Sequence, residues 1–266
     1  MRHYVVLMRP VNGIMASVAA IIGYLVAGAQ FSTVAFLAAA VVFLVSAGGM
    51  AINDYYDAEI DKLNKPNRPI PSGKVKKEHA SWFAYALFAM GIIVSYFINI
   101  PALLVAIVAA AVLVLYAARL KKTLLLGHVA ISFLVGLSFV FGGVAAGNYQ
   151  PALLMAFLAF LSNTAREIYK SIEDVLGDGK HSVNSIAVKH GVFKAKMIAN
   201  AFLIVAVVFS FVPYALGFSQ TYLFFVVLAD IAFISAIIAP AKHSAKLCKI
   251  GMFIALLAFL AAAIKL

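Results

Sequence analysis

This 266-residue chain contains only ten acidic residues, and their spacing is its first chemically informative feature. Asn53, Asp57 and Asp61 stand four apart, as do Asp174 and Asp178. On an α-helix that interval returns each side chain to the same face. Carboxylates stacked in this way repel one another, by roughly 0.2–0.5 kcal/mol per pair in water and by more where the effective dielectric falls near a membrane. A hard divalent cation with oxygen ligands relieves that repulsion. The segments after the two ladders are also alike. Lys62, Asn64, Lys65, Asn67, Arg68, Pro69, Ile70, Pro71, Ser72 and Gly73 follow the first. Gly179, Lys180, Asn184, Ser185, Ile186, Lys189 and Gly191 follow the second. Mg²⁺ usually binds one or two carboxylates together with substrate phosphate oxygens, and Lys and Arg hold the oxygens that remain. Two carboxylate ladders trailed by cations therefore suit a Mg²⁺-bound diphosphate leaving group. The bland alternative is solvated loop acids paired with loop bases, which contribute little. Two parallel ladders in a chain so poor in acids argue against it.

The elements that carry the ladders belong to lipid. Hydrophobic residues make up 65% of the chain and charged residues 12%, with a mean hydropathy of +1.03. A soluble domain has about 25% charged residues. A helical span needs about 20 apolar residues. Runs of that kind predict nine transmembrane helices near 14–30, 33–54, 79–99, 101–118, 124–146, 151–173, 195–216, 220–240 and 245–264. The first run is too long for a cleaved signal peptide and lacks a small-residue cleavage site before a polar segment. The ladders close the second and sixth helices, four helices apart. The chain thus reads as an all-α membrane protein of two diverged four-helix halves, about 10–122 and 123–243, plus a final helix. The expected site lies between the halves.

Lys and Arg orient the chain. The loops near 31–33, 99–101, 147–151 and 216–220 carry no charge, whereas every basic residue except Lys265 falls on the opposite face. By the positive-inside rule that face is cytoplasmic, with the N-terminus and both ladders inside and the C-terminus outside. All acids but Asp230 lie there too, so the face holds the whole +11 net charge. This excess has three readings: topology, attraction of anionic membrane lipid, and an anionic substrate. No nucleic-acid partner and no obligate protein partner is indicated. The single cysteine, Cys248, excludes an internal disulfide, and no histidine pair has metal-ligand spacing.

At Asn53…Asp57…Asp61 and Asp174…Asp178 the sequence resembles the UbiA superfamily of intramembrane prenyltransferases, whose two Asp-rich motifs read NxxxDxxxD and DxxxD. The resemblance runs over essentially the whole chain, helix count included. Asn67-Arg68-Pro69-Ile70-Pro71-Ser72-Gly73 after the first motif makes it specific. The form of the second motif, from Arg166-Glu167 through Lys170 to Gly177-Asp178, looks most like archaeal members that join a geranylgeranyl group to geranylgeranylglyceryl phosphate in ether-lipid synthesis. One position departs: residue 171 is Ser where related sequences usually carry a further Asp.

The resemblance implies that Asn53, Asp57, Asp61, Asp174 and Asp178 bind Mg²⁺ and diphosphate. It also makes Arg9, Lys65, Arg68, Tyr116, Lys121, Arg166 and Lys170 candidates for phosphate contacts. The implied partners are a prenyl diphosphate and a prenylated glycerol phosphate. Asp54 and Glu173 adjoin the motifs but point about 100° away on a helix, which suits helix-end hydrogen bonding or the holding of a basic residue. Tyr55, Tyr56, Tyr116 and Tyr169 are aromatic faces that can stabilise an allylic cation, although for any one of them packing is the ordinary role. Asp230, mid-helix, costs about 2.5–3.5 kcal/mol if charged and reads as structural or as part of a pocket wall. Three rivals stand beside this reading: a related enzyme with an aromatic acceptor, a CDP-alcohol phosphotransferase whose Asp-Gly-x-x-Ala-Arg core is missing here, and a transporter.

Overall fold

The computed structural model describes residues 2–123, 125–178 and 186–264, the side chains of Lys122 and of residues 176–178 excepted. All regular structure among them is helical. In chain order the helices are α1 (Arg2–Met8), α2 (Pro10–Val26), α3 (Thr33–Tyr56), α4 (Ala58–Asn64), α5 (Lys77–Tyr96), α6 (Ile100–Ala118) and α7 (Leu126–Ala145). They continue as α8 (Gln150–Asp178), α9 (Ile186–His190), α10 (Val192–Phe209), α11 (Val212–Ala215), α12 (Gln220–Ile238) and α13 (Ala241–Ala263). Among the described residues seven helices are long and apolar enough to cross a membrane, or eight if α1 and α2, bent by 48°, form one span. α8 falls outside that set because its second half carries Asn163, Arg166, Glu167, Lys170, Glu173, Asp174 and Asp178. Large apolar side chains such as Trp82, Phe193 and Phe224 point outward, as lipid-facing residues do. The protein is a multi-pass membrane protein.

The residues fall into two compact units, Met1–Leu120 with Leu137–Gln150, and Lys121–Gly136 with Pro151–Leu266. α7 thus contributes its first half to the second unit and its last half to the first.

In the first unit α3 is the central helix, with α5, α2, α6 and α1 packed on it. Small residues set how closely the helices approach. A Cβ added at Gly142 would lie 1.9 Å from the Ala20 carbonyl oxygen, and one added at Gly23 would lie 1.9 Å from that of Phe139. α2 and the end of α7 therefore touch backbone to backbone, the packing that glycine permits in membranes. The chain turns sharply between helices through caps. The Asn99 side chain accepts from the Ala102 N–H at 2.7 Å, and Pro101 occupies the first turn of α6, where no N–H partner is needed.

In the second unit one buried cluster joins Ala165, Ile168, Tyr169 and Ile172 of α8 to Ala199 and Leu203 of α10, Phe233 of α12 and Cys248 of α13. Several buried polar groups of this unit pair across helices. Tyr169, fully buried, donates to Asn200 Oδ1 at 2.6 Å, and Asn163 Nδ2 donates to Ser132 Oγ at 3.0 Å. Lys196 Nζ reaches the Ala239 carbonyl at 2.7 Å, placing a cation where the end of α12 leaves carbonyls without helical partners.

Candidate active site

The expected second helix, 33–54, is longer in the structure. α3 reaches Tyr56, and the main chain carries on into α4 with only a slight break at Asp57. Backbone bonds from Asp57 to Asn53, from Asp61 to Asp57 and from Lys65 to Asp61, at 2.8–2.9 Å, keep the i→i−4 pattern across the junction. The four-residue ladder therefore does share one face. Along it Asn53 Nδ2 donates to Asp57 Oδ2 at 2.9 Å, which fixes the orientation of that half-buried carboxylate. Asp61 is 4% exposed and is paired with Arg68.

Arg68 reaches Asp61 because the segment after α4 folds into a compact turn. Ser72 N–H bonds the Arg68 carbonyl and Val75 N–H bonds the Pro69 carbonyl, both at 3.0 Å, while Ile70 and Val75 are buried. Gly73 takes φ 73°, a backbone state that suits glycine. The turn aims Arg68 back at α3, where Nη1 also donates to Asp54 Oδ1 at 3.1 Å. Asp54, itself 4% exposed, holds a second guanidinium as well, that of Arg9. Arg9 sits between α1 and α2 with φ 46° and ψ 65°. Pro10 follows it and disfavours the right-handed helical state, and a left-handed residue other than glycine costs about 1–2 kcal/mol. Its other amine lies 3.6 Å from Met50 Sδ. The expectation that Asp54 holds a basic residue is met twice over.

The structure thus shows the acid–base pairing that the bland alternative called for, at Asp54 and Asp61. Lys62 also bonds the exposed Glu59, at 2.9 Å, and holds its carboxyl below the usual carboxylate range. Lys77 stands 5.0 Å from the Tyr55 ring centroid, a cation–π pair on the same unit. Lys65 and Lys121 are exposed and Tyr116 is half-buried.

In the second unit, Arg166 pairs with its neighbour Glu167, and Lys170, Glu173 and Asp174 are exposed. The side chain of Asp178, together with Gly179, Lys180, His181, Asn184 and Ser185, lies outside the described residues, as does Lys265. Ser171 is 7% exposed and its hydroxyl donates to the Ile168 carbonyl at 2.8 Å. Tyr169 likewise belongs to the core.

Asp230 is 5% exposed. It accepts from Ser210 Oγ at 2.7 Å, and Tyr222 donates to the Ser210 carbonyl at 2.7 Å. The trio pins the break between α10 and α11 to α12, and Asp230 Oδ1 meets no donor among the described residues. An Asn at 230 keeps the acceptor that Ser210 uses. Asp230→Asn is therefore expected to retain turnover within about threefold and to shift stability by about 1 kcal/mol. Turnover and thermal melting of the detergent-solubilised variant check both.

Among the described residues no three His, Cys, Asp or Glu side chains converge as a ready metal cluster. Asn53 and Asp57 nevertheless offer hard oxygen donors on one helix face. Mg²⁺ asks for no more than one or two carboxylates when phosphate oxygens and water complete its shell. The donor set fits that ion.

The chain belongs to the UbiA prenyltransferase family, whose profile matches residues 16–261. Its relatives narrow the likeness to one kind of enzyme. The chain is 40% identical to the digeranylgeranylglyceryl phosphate synthase of Methanopyrus kandleri, over 98% of its own length and 99% of that protein. A solved digeranylgeranylglyceryl phosphate synthase in membranes superposes with a TM-score of 0.84 at 41% identity, covering 100% of this chain and 99% of the other. A UbiA homolog from Archaeoglobus fulgidus bound to GPP and Mg²⁺ shares the fold at 17% identity, with a TM-score of 0.75 over 98% of this chain and 99% of the other.

Proposed function

We propose that the protein transfers a geranylgeranyl group from its diphosphate to the glycerol hydroxyl of geranylgeranylglyceryl phosphate, in archaeal ether-lipid synthesis. Agreement between full-length relatives and the two Asp-rich motifs supports this reading. The observation that carries it within this chain is the Asn53–Asp57 pair beside the two guanidiniums, of Arg9 and Arg68, gathered on the buried Asp54 of α3. The C–O bond from the allylic carbon to diphosphate breaks, an ether C–O bond forms at the acceptor oxygen, and the hydroxyl proton leaves with no general base assigned.

Asn53, Asp57, Asp61, Asp174 and Asp178 are the residues that would hold Mg²⁺. The ion, when bound, supplies neutralisation of the departing diphosphate. The chain's own cations do the rest. Arg9, Arg68 and Arg166 are placed by carboxylates, and we assign them, with Lys65, Tyr116, Lys121 and Lys170, to phosphate oxygens. The hydrocarbon tail gains little on leaving lipid for an apolar cavity, because the usual ~0.8 kcal/mol per CH₂ applies to transfer from water. Binding strength therefore resides in the polar head.

We read the bent pair α1–α2 and the amphipathic α8 as two of nine crossings. The motifs then lie on the cytoplasmic face, consistent with the charge-free loops opposite. The parallel segments after the two ladders support a diverged repeat with halves near 10–122 and 123–243.

Purified protein supplied with geranylgeranyl diphosphate, Mg²⁺ and a panel of acceptors is expected to yield digeranylgeranylglyceryl phosphate by mass spectrometry. Product from an aromatic acceptor alone would overturn the assignment. EDTA is expected to abolish binding of the diphosphate as well as turnover, and tight binding retained in EDTA would count against the cation-bound head.

A further inference from the structure

We propose that Asp54 is a positioning residue that assembles Arg9 and Arg68 into a receptor for substrate phosphate oxygens. Arg9 precedes α2, Asp54 lies on α3 and Arg68 lies in the turn beyond α4, so one carboxylate draws together three separate segments. Without it the two guanidiniums would repel. The arrangement is asymmetric: the Asp54 side chain is 6% exposed, whereas those of Arg9 and Arg68 are 31% and 24% exposed. The anion is sealed behind the cations, and the cations keep an open side. Their recorded bonds engage Nη1 and Nη2 of Arg9 and Nη1 of Arg68. A guanidinium carries five N–H donors, so donors remain on both for a planar, multiply charged oxyanion.

The backbone of Arg9 separates this role from that of a staple. A residue kept only to bend the chain at φ 46° would be a glycine. Arginine is held there against its own conformational preference, in exchange for a guanidinium at that point. Asp54 takes two cationic side chains as partners, Arg9 and Arg68, and its effect on an anion passes through them. Arg68, which also pairs with Asp61, links the receptor to the ladder of Asn53, Asp57 and Asp61.

The inference rests on the prenyl-transfer reading for the identity of the anions, and binding measured without turnover keeps the two separable. The probes are geranylgeranyl thiolodiphosphate with Mg²⁺ and geranylgeranylglyceryl phosphate, each titrated into the full chain in lipid nanodiscs. Asp54→Asn is expected to weaken one of them about tenfold or more, and Asp54→Glu to recover part of the loss. Loss confined to the diphosphate assigns the receptor to the donor, and loss confined to the glycerol phosphate assigns it to the acceptor. Arg9→Gly is expected to show a comparable loss while melting at or above the wild-type temperature. Asp54→Asn added to Arg9→Gly with Arg68→Gln is expected to weaken binding no further. Normal binding of both probes by Asp54→Asn overturns the proposal. So does an Arg9→Gly variant that melts well below wild type and binds both probes normally, because the cluster would then be a structural tie. Failure of prenyl transfer with every acceptor, with these binding losses intact, would sink the enzymatic reading alone.

Discussion

Asp57→Asn should lower turnover by about 10²–10³-fold, with the protein still folded and inserted. The size follows from removing one fixed charge that acts where charge develops in the reaction. Retention of the fold follows from the geometry. The backbone bonds at Asp57 are helical and survive any side chain, and an amide oxygen at 57 still accepts from Asn53 Nδ2 in place of Asp57 Oδ2. The substitution thus removes the charge and leaves these bonds in place. Turnover with saturating substrates, beside circular dichroism and thermal melting in detergent, separates the two effects. A loss below about fivefold would take Asp57 out of the chemistry.

Gly142→Val is expected to act on the fold, with the site chemically untouched. The first added carbon meets the Ala20 carbonyl oxygen at 1.9 Å and the Tyr24 nitrogen at 2.7 Å. Both are backbone atoms and have no rotamer by which to move aside. Overpacking ordinarily costs about 1–3 kcal/mol. A collision with the rigid main chain of α2 at two points exceeds that range, and the melting temperature should fall by roughly 10 °C or more. Gly147→Ala supplies the contrast. Nothing lies within 4 Å of a Cβ there, but φ is +85°, so only the conformational cost of about 1 kcal/mol remains. Similar melting of the two variants would mean that α2 and α7 are not held by this contact.

The local part of this site was readable from residue spacing, and the long-range part was not. Asn53, Asp57 and Asp61 share a face because the helix repeats every 3.6 residues, and the structure agrees. The same geometry sets Asp54 apart only from its neighbour Asn53: seven residues on, the helix brings Asp61 back to within about 20° of it, and one Arg68 nitrogen bonds both carboxylates. Which cations meet Asp54 depends on tertiary packing, and no interval between residues 9 and 54 announces it. The turn Asn67–Gly73 was visible as a Pro- and Gly-rich segment, but its target was not. The first span was read as beginning at 14. The structure starts α2 at Pro10 and adds α1 before it. Tyr169 takes the packing role that was its ordinary expectation, and Ser171, noted as the departure from the usual Asp, is buried beside it on α8. The hydrogen bond from Ser210 to Asp230 spans two helices and was legible only as an expectation that a lone buried acid finds some partner.

The polar half of α8 also bears on how the chain is made. A helix that brings Arg166, Glu167, Lys170 and Glu173 towards the bilayer is a poor candidate for partition into lipid as it leaves the ribosome, since each charge near a helix centre costs about 2.5–3.5 kcal/mol. The apolar surfaces that bury its other face, on α10, α12 and α13, are all synthesised later. On the nine-crossing reading proposed above, α8 is expected to wait beside the insertion machinery until its companions emerge. Truncation after residue 190 should leave it exposed to proteases, and the full chain should protect it.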